Sequence, residues 1–212
     1  MIARLHYITQ DMPDKTHPQL AEEACRHGAR WVQLRLKNIS GAACRAISLQ
    51  MLEICKKYGA KLIINDYPHL AKEIGAQGVH LGKEDMSTAA AREEFGADFI
   101  IGGTANTWED IKMHAEAGVD YIGLGPFRHT VTKSKLSPVL GFEGYRRIMD
   151  QCSKENMRIP VIAIGGIVPD DVSGLLAAGL HGVAVAGYIN RAADKSKAIH
   201  EFLSVLEPVS KK

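Results

Sequence analysis

The chain has 212 residues, 46% hydrophobic and 24% charged, with 26 basic against 24 acidic side chains and a formal net charge of +2. That length suits one domain with a sizeable core. The near balance of charge gives no reason to expect a nucleic-acid surface or an electrostatic membrane patch, so any functional positive charge has to be concentrated at a site. The opening MIARLHYITQ runs into strand-like sequence without a charged leader and long apolar stretch, and no apolar run approaches the roughly 18 residues of a membrane span. A soluble, cytoplasmic protein is expected.

Residues 5–9 form the first strand candidate, and the loop after it, TQDMPDKTH, carries no glycine-rich dinucleotide fingerprint. A helix over 17–27 is stopped by Gly28. The second strand, 31–35, ends in Gln33-Leu34-Arg35-Leu36-Lys37. Alternation points Gln33, Arg35 and Lys37 one way and the leucines the other, which suits either an anion and ring-recognition site or a solvated basic strand end. A helix over 42–58 stops at Gly59, and the third strand, 61–66, ends in Asn65-Asp66. After a helix over 69–74 comes the fourth strand, 78–81, followed by Lys83-Glu84-Asp85. Acids after two neighbouring strands bring Asp66 and Asp85 together as hard oxygen ligands for Mg²⁺; alternatively, each caps the helix that follows it.

A helix over 88–95 precedes the fifth strand, 99–104, which ends in Gly102-Gly103-Thr104. The glycines leave room for a backbone or a ligand, and the hydroxyl can donate to an anion. A helix over 107–116 leads to the sixth strand, 121–125, and then to Thr130-Val131-Thr132-Lys133-Ser134-Lys135. Hydroxyls interleaved with lysines read as a phosphate or diphosphate clamp, or as a merely soluble loop. A helix over 143–156 is followed by the seventh strand, 160–166. It ends in Ile164-Gly165-Gly166-Ile167, ahead of a helix over 170–178 that Pro169, Asp170 and Asp171 open. The eighth strand, 182–187, ends in Ala186-Gly187-Tyr188, and a last helix spans 195–206 before a tail frayed from about 208 to 212. Glycines after strands seven and eight beside helix starts describe a phosphate corner common to many barrels.

Several strands, such as LIIND and VIAIGG, are apolar almost throughout, as parallel strands covered on both faces are. Eight βα units in a chain this short indicate a single α/β domain over 1–212, a closed (β/α)₈ TIM barrel; a doubly wound open sheet is the competitor. In a barrel the chemistry gathers at the strand C-termini, where these polar ends lie. The remaining candidates read as structure. Cys25, Cys44, Cys55 and Cys152 lack metal-ligand spacing and are expected as buried free thiols. His6, His27, His69 and His200 fall on packed or solvated faces, His129 alone sits in a candidate mouth loop, and Trp31 and Trp108 read as packing.

Taken in order, VQLRLK, LIIND, GVHLGKEDM, IIGGT, DYIGLGPF, TVTK, IPVIAIGGI and HGVAVAG resemble the thiamine phosphate synthase family from about Tyr7 to Ile189. The resemblance implies a Mg²⁺-dependent transferase that joins 4-amino-2-methyl-5-(diphosphooxymethyl)pyrimidine to 4-methyl-5-(2-phosphooxyethyl)thiazole, releasing diphosphate. It implies Gln33, Arg35, Lys37, Asn65, Thr104 and Lys133 on the pyrimidine diphosphate, with Arg35, Lys37, Thr104 and Lys133 catalytic, and Asp66 and Asp85 on Mg²⁺. Thr130, Val131, Thr132, Gly166, Ala186 and Gly187 would hold the thiazole phosphate. The partners are then phosphorylated small molecules, with no nucleic acid or membrane, and a homo-oligomer is compatible with the sequence.

The chain departs from the family pattern at Thr104 (commonly serine), Lys83 (commonly glutamine), Asn106 (frequently histidine) and Ala186-Gly187 (a pair that often includes serine). The purposes of Lys83 and Asn106 are open at this point. Three rival readings remain, one of them a non-catalytic phosphate-binding sensor, which would need no pair of metal acids. A thiazole tautomerase of the same barrel family would be expected to lack the paired acids and to carry a histidine after strand five. A Schiff-base aldolase would need Lys133 in the barrel interior.

Overall fold

A computed structural model describes residues 1–37, 39, 41–129 and 138–206. Within them the chain runs β1 (Leu5–Ile8), α1 (His17–Arg26), β2 (Trp31–Leu34), α2 (Gly41–Lys57), β3 (Lys61–Asn65), α3 (Pro68–Ile74), β4 (Gly78–Leu81) and α4 (Thr88–Phe95). It continues through β5 (Ile100–Ala105), α5 (Trp108–Glu116), β6 (Tyr121–Leu124), α6 (Gly141–Lys154), β7 (Val161–Ile164), α7 (Pro169–Ala177), β8 (Gly182–Val185), α8 (Gly187–Asn190) and α9 (Lys195–Leu206). The strands pair in parallel in chain order and β8 pairs with β1, so the sheet closes into the expected (β/α)₈ barrel rather than an open doubly wound sheet.

Local chemistry explains the alternation. Thr16 and Gln19 form a reciprocal capping box at the start of α1, and Thr107 with Asp110 does the same for α5. Gly28 and Gly59, the expected helix stops, have positive φ, as do Gly75, Gly96, Gly118 and Gly179 after later helices. The strands are shorter than the apolar runs suggest, because the mouth residues leave extended geometry: φ is 71° at Asp66 and 105° at Gly165. At the end of β8 the chain turns into the short α8, which the sequence reading did not contain. Its Asn190 is buried, accepts a hydrogen bond from the Tyr7 hydroxyl (2.5 Å) and donates to the Ile8 carbonyl (2.9 Å), tying α8 to β1.

The core has two shells. Most buried apolar residues lie in one continuous cluster that includes the helix faces and the outward-pointing strand residues. A second, smaller cluster of Ile8, Trp31, Ile63, Tyr121, Ile162 and Ala184 fills the barrel. His6 joins it, stacked 4.4 Å from Trp31, and burial followed by the nearby His80 holds its pKa well below the ordinary value. His6 is thus a neutral packing group at neutral pH, and Trp31 is fully buried beside it. All four cysteines are buried free thiols. Among the described residues no helix is long and apolar enough to cross a membrane.

The Gly102-Gly103 pair departs from its expected role. A Cβ on Gly102 would stand 2.2 Å from Tyr121 Cζ, and one on Gly103 would stand 2.6 Å from the His114 ring. The glycines make room for side chains rather than for a ligand. Gly102→Ala is therefore expected to destabilise the fold by about 1–3 kcal/mol through overpacking, read as a lower urea midpoint at unchanged slope. An unchanged midpoint would show that Tyr121 can move aside.

Candidate active site

The alternation that puts Trp31 and Ile63 inside the barrel puts Gln33 and Asn65, two residues further on, inside it nearer the C-terminal mouth. There the filling turns polar. Gln33 Nε2 donates to Asn65 Oδ1 (2.7 Å), and both side chains are buried. Asn65 registers beside His80 of β4, whose Nε2 lies 3.0 Å from the Thr104 hydroxyl and whose Nδ1 lies 3.1 Å from the Tyr121 hydroxyl. His80 and Tyr121 were not singled out in the sequence. The available signal was parity: His80 stands between buried Val79 and Leu81, so it faces inward. Thr104 is held from the other side as well. Its carbonyl is 3.0 Å from His114 Nε2, which donates because a carbonyl only accepts, and His114 Nδ1 lies 3.1 Å from the Thr88 hydroxyl.

At the rim of this polar floor the two expected acids meet. Asp66 leaves β3 in a left-handed conformation, with its N–H on the His80 carbonyl, and its carboxyl adjoins that of Asp85. Burial, and then the neighbouring Asp85 carboxyl, push Asp66 up to about 6, against the opposing pull of Asn65 and Arg35. Asp85 is itself anchored by the Gly82 N–H at 2.7 Å.

Neither acid caps a helix. The Ser87 hydroxyl caps α4, and α3 begins at Pro68 with no side-chain cap. The alternative reading of the two acids is thereby removed. A half-buried carboxyl pushed up beside a second carboxyl fits a small divalent cation, which would favour the ionised form.

Arg35 and Lys37 follow β2, with the Arg35 charge acting on Asp66, while Leu34 and Leu36 turn into the core as expected. The Arg35 backbone N–H donates to the Thr9 hydroxyl (3.3 Å), which lies 2.8 Å from His17 Nδ1, and His17 Nε2 lies 3.0 Å from Asp11. The loop after β1 therefore braces the basic strand end. Burial, and then the charge of Arg35, lower the pKa of Lys37.

The strand-seven corner lies elsewhere on the mouth. Gly165 and Gly166 both have positive φ (105° and 71°), and β7 pairs with β8 through Ile164 and Ala184, so Gly166 and Ala186-Gly187 follow neighbouring strands. Thr130, Val131, Thr132 and Lys133 lie outside the described residues.

Residues 5–189 match the sequence profile of the family described as thiamine monophosphate synthase. The chain belongs to that family. A thiamine-phosphate synthase of Bacteroides fragilis is 45% identical over 201 residues, covering 95% of this chain and 98% of that protein. One of Phocaeicola vulgatus is 47% identical over 190 residues, covering 90% and 91%. The solved structure of a thiamine phosphate pyrophosphorylase from Pyrococcus furiosus superposes with a TM-score of 0.83 at 32% identity, covering 96% of this chain and 95% of that one.

Against the pattern of the thiamine monophosphate synthase family, the two open departures now have structural partners. Lys83 Nζ pairs with Asp110 Oδ2 at 2.6 Å, and the same carboxylate accepts from the Asn106 and Thr107 N–H groups. The Asn106 side-chain amide donates to the Gly125 carbonyl. Lys83 thus links the acidic loop after β4 to the first turn of α5, and Asn106 links the ends of β5 and β6. Thr104 keeps its hydroxyl on the floor.

Proposed function

We propose that this chain makes thiamine phosphate by joining the aminopyrimidine methyl diphosphate to the thiazole phosphate with release of diphosphate. The observation that supports this most is the Asp66–Asp85 pair at the edge of a hydrogen-bonded floor of Gln33, Asn65, His80 and Thr104. Gln33 and Asn65 offer amide groups to the aminopyrimidine edge. Asp66 and Asp85 would hold Mg²⁺, and the cation when bound offsets negative charge on the diphosphate. Arg35, Lys37 and the Thr104 hydroxyl face the same anion, with Lys133 as a further cation.

The reaction then needs no strong base. The bond between the methylene carbon and the diphosphate oxygen breaks with its electron pair leaving on diphosphate, and the electron-rich aminopyrimidine ring stabilises the methylene cation. The lone pair of the thiazole nitrogen closes the new C–N bond. Preorganised cations and donors placed where charge grows supply the catalysis, and holding the thiazole by its phosphate supplies proximity. Gly166 and the Ala186-Gly187 backbone, with Thr130, Val131 and Thr132, would take that phosphate. A cytoplasmic setting fits the four buried free thiols.

The tautomerase reading is not supported. The relatives are named as thiamine-phosphate synthases, and at position 106 an amide bound to a carbonyl replaces any acid–base histidine. Incubating the purified chain with both substrates and Mg²⁺ is expected to yield thiamine phosphate and diphosphate in equal amounts. Interconversion of thiazole isomers without coupled product would overturn the assignment.

A further inference from the structure

Arg128 follows β6 by four residues and does not belong to the site described above. Its contacts converge on the turn after β7. The backbone pairing of the two strands runs on past their ends, with Phe127 N–H on the Ile164 carbonyl (2.8 Å) and Arg128 N–H on the Gly165 carbonyl (2.9 Å). The approach is close enough that a Cβ on Gly165 would stand 2.8 Å from Pro126. The Arg128 guanidinium then makes a bidentate pair with Asp171, 2.5 Å to Oδ2 and 2.6 Å to Oδ1, and donates a further bond to the Gly166 carbonyl at 2.9 Å.

Both partners are fixed. The guanidinium lies 4.4 Å over the ring of Phe127, which is itself buried and packed edge-on against Phe142. Asp171 is the third residue of α7, buried, and accepts the Val168 N–H at 2.9 Å. Burial pushes the Asp171 carboxyl up, but the hydrogen bonds from Arg128 and Val168 and the Arg128 charge hold it below the usual carboxylate range.

A trans peptide points its C=O and the following N–H to opposite sides. With the Gly166 carbonyl held by Arg128, the Ile167 N–H faces away from Arg128. Among the described residues the N–H groups of Gly166 and Ile167 meet no acceptor. Two adjacent backbone donors without acceptors, in a turn made of positive-φ glycines, form a concavity suited to an anion.

We propose that Arg128, locked to Asp171, is the positioning residue of the thiazole-phosphate corner: it sets the Gly166–Ile167 peptide so that these N–H groups face the phosphate. This rests on the assignment of Gly166 to that phosphate. Three of the five guanidinium N–H donors are committed to Asp171 and Gly166, so the role assigned to Arg128 is to orient this turn rather than to contact substrate. A bidentate fork that also reaches a third acceptor is a task for arginine, and lysine offers only a point charge.

The test titrates the thiazole phosphate into wild type, R128M, R128K and D171N by calorimetry, alongside steady-state kinetics and melting temperatures. R128M is expected to weaken thiazole phosphate binding and raise its KM about tenfold, with kcat and the pyrimidine diphosphate KM within about twofold, as loss of an orienting partner does elsewhere. R128K should recover less than half of the loss. Should R128M not fold, R128K and D171N carry the same comparison. A lower melting temperature with thiazole phosphate affinity unchanged, or both KM values rising together, would overturn the proposal while leaving the functional reading intact. Wild type that binds the thiazole phosphate in an Arg128-dependent way but makes no thiamine phosphate would overturn the functional reading alone. Wild type that does not bind it would overturn both.

Discussion

Asp66→Asn is expected to lower kcat/KM by about a thousandfold and to raise the Mg²⁺ concentration needed for half-maximal rate, since it removes one of two anionic groups at the place where diphosphate charge develops. Asparagine is preferable to alanine here for a structural reason. Asp66 has φ 71°, a region that asparagine tolerates and alanine resists, so the asparagine variant separates charge from backbone strain. The same loss should appear in wild type treated with chelator and reverse on adding Mg²⁺. Because Asp66 and Asp85 adjoin and would serve one cation, the double variant should cost little more than either single one. Full activity in chelator, or additive losses in the double variant, would show that the two acids do not serve a common cation.

The second large effect is at Arg35. Arg35→Met is expected to reduce kcat about a hundredfold, with a smaller change in the KM for either substrate, because the guanidinium opposes charge that appears only as diphosphate departs. The strand end should survive the change, since the bond that fixes it runs from the Arg35 backbone N–H to the Thr9 hydroxyl and does not involve the side chain. Rapid-quench measurement of diphosphate release in a single turnover isolates this step. If the burst rate is unchanged and only the pyrimidine diphosphate KM rises, Arg35 acts in ground-state binding, and the charge on the leaving group is met elsewhere.

Much of the mouth follows from strand parity. Gln33, Asn65 and Thr104 stand where alternation from Trp31, Ile63 and Gly102 places them, and the acids after β3 and β4 had to be neighbours once the strands paired in chain order. The short α8 was hidden because its residues continue the apolar run of β8, and what turns them into a helix is Asn190 reaching back to β1, 182 positions away in sequence. The role of Gly102 and Gly103 was misread for the same kind of reason: a glycine announces room, but its occupant, Tyr121 or His114, comes from another element.

By itself, then, the amino-acid sequence determined the eight-fold βα rhythm, the closed barrel, the family and the identities of the polar strand ends, because periodicity and glycine stops act over a few residues. Only the tertiary structure decided which polar groups touch. It put His80 between Thr104 and Tyr121, Lys83 on Asp110, and Arg128 across Asp171 and Gly166. Each of those contacts joins different βα units, and hydrogen bonds a few ångströms long are set by the closure and register of the whole barrel rather than by any local stretch of chain.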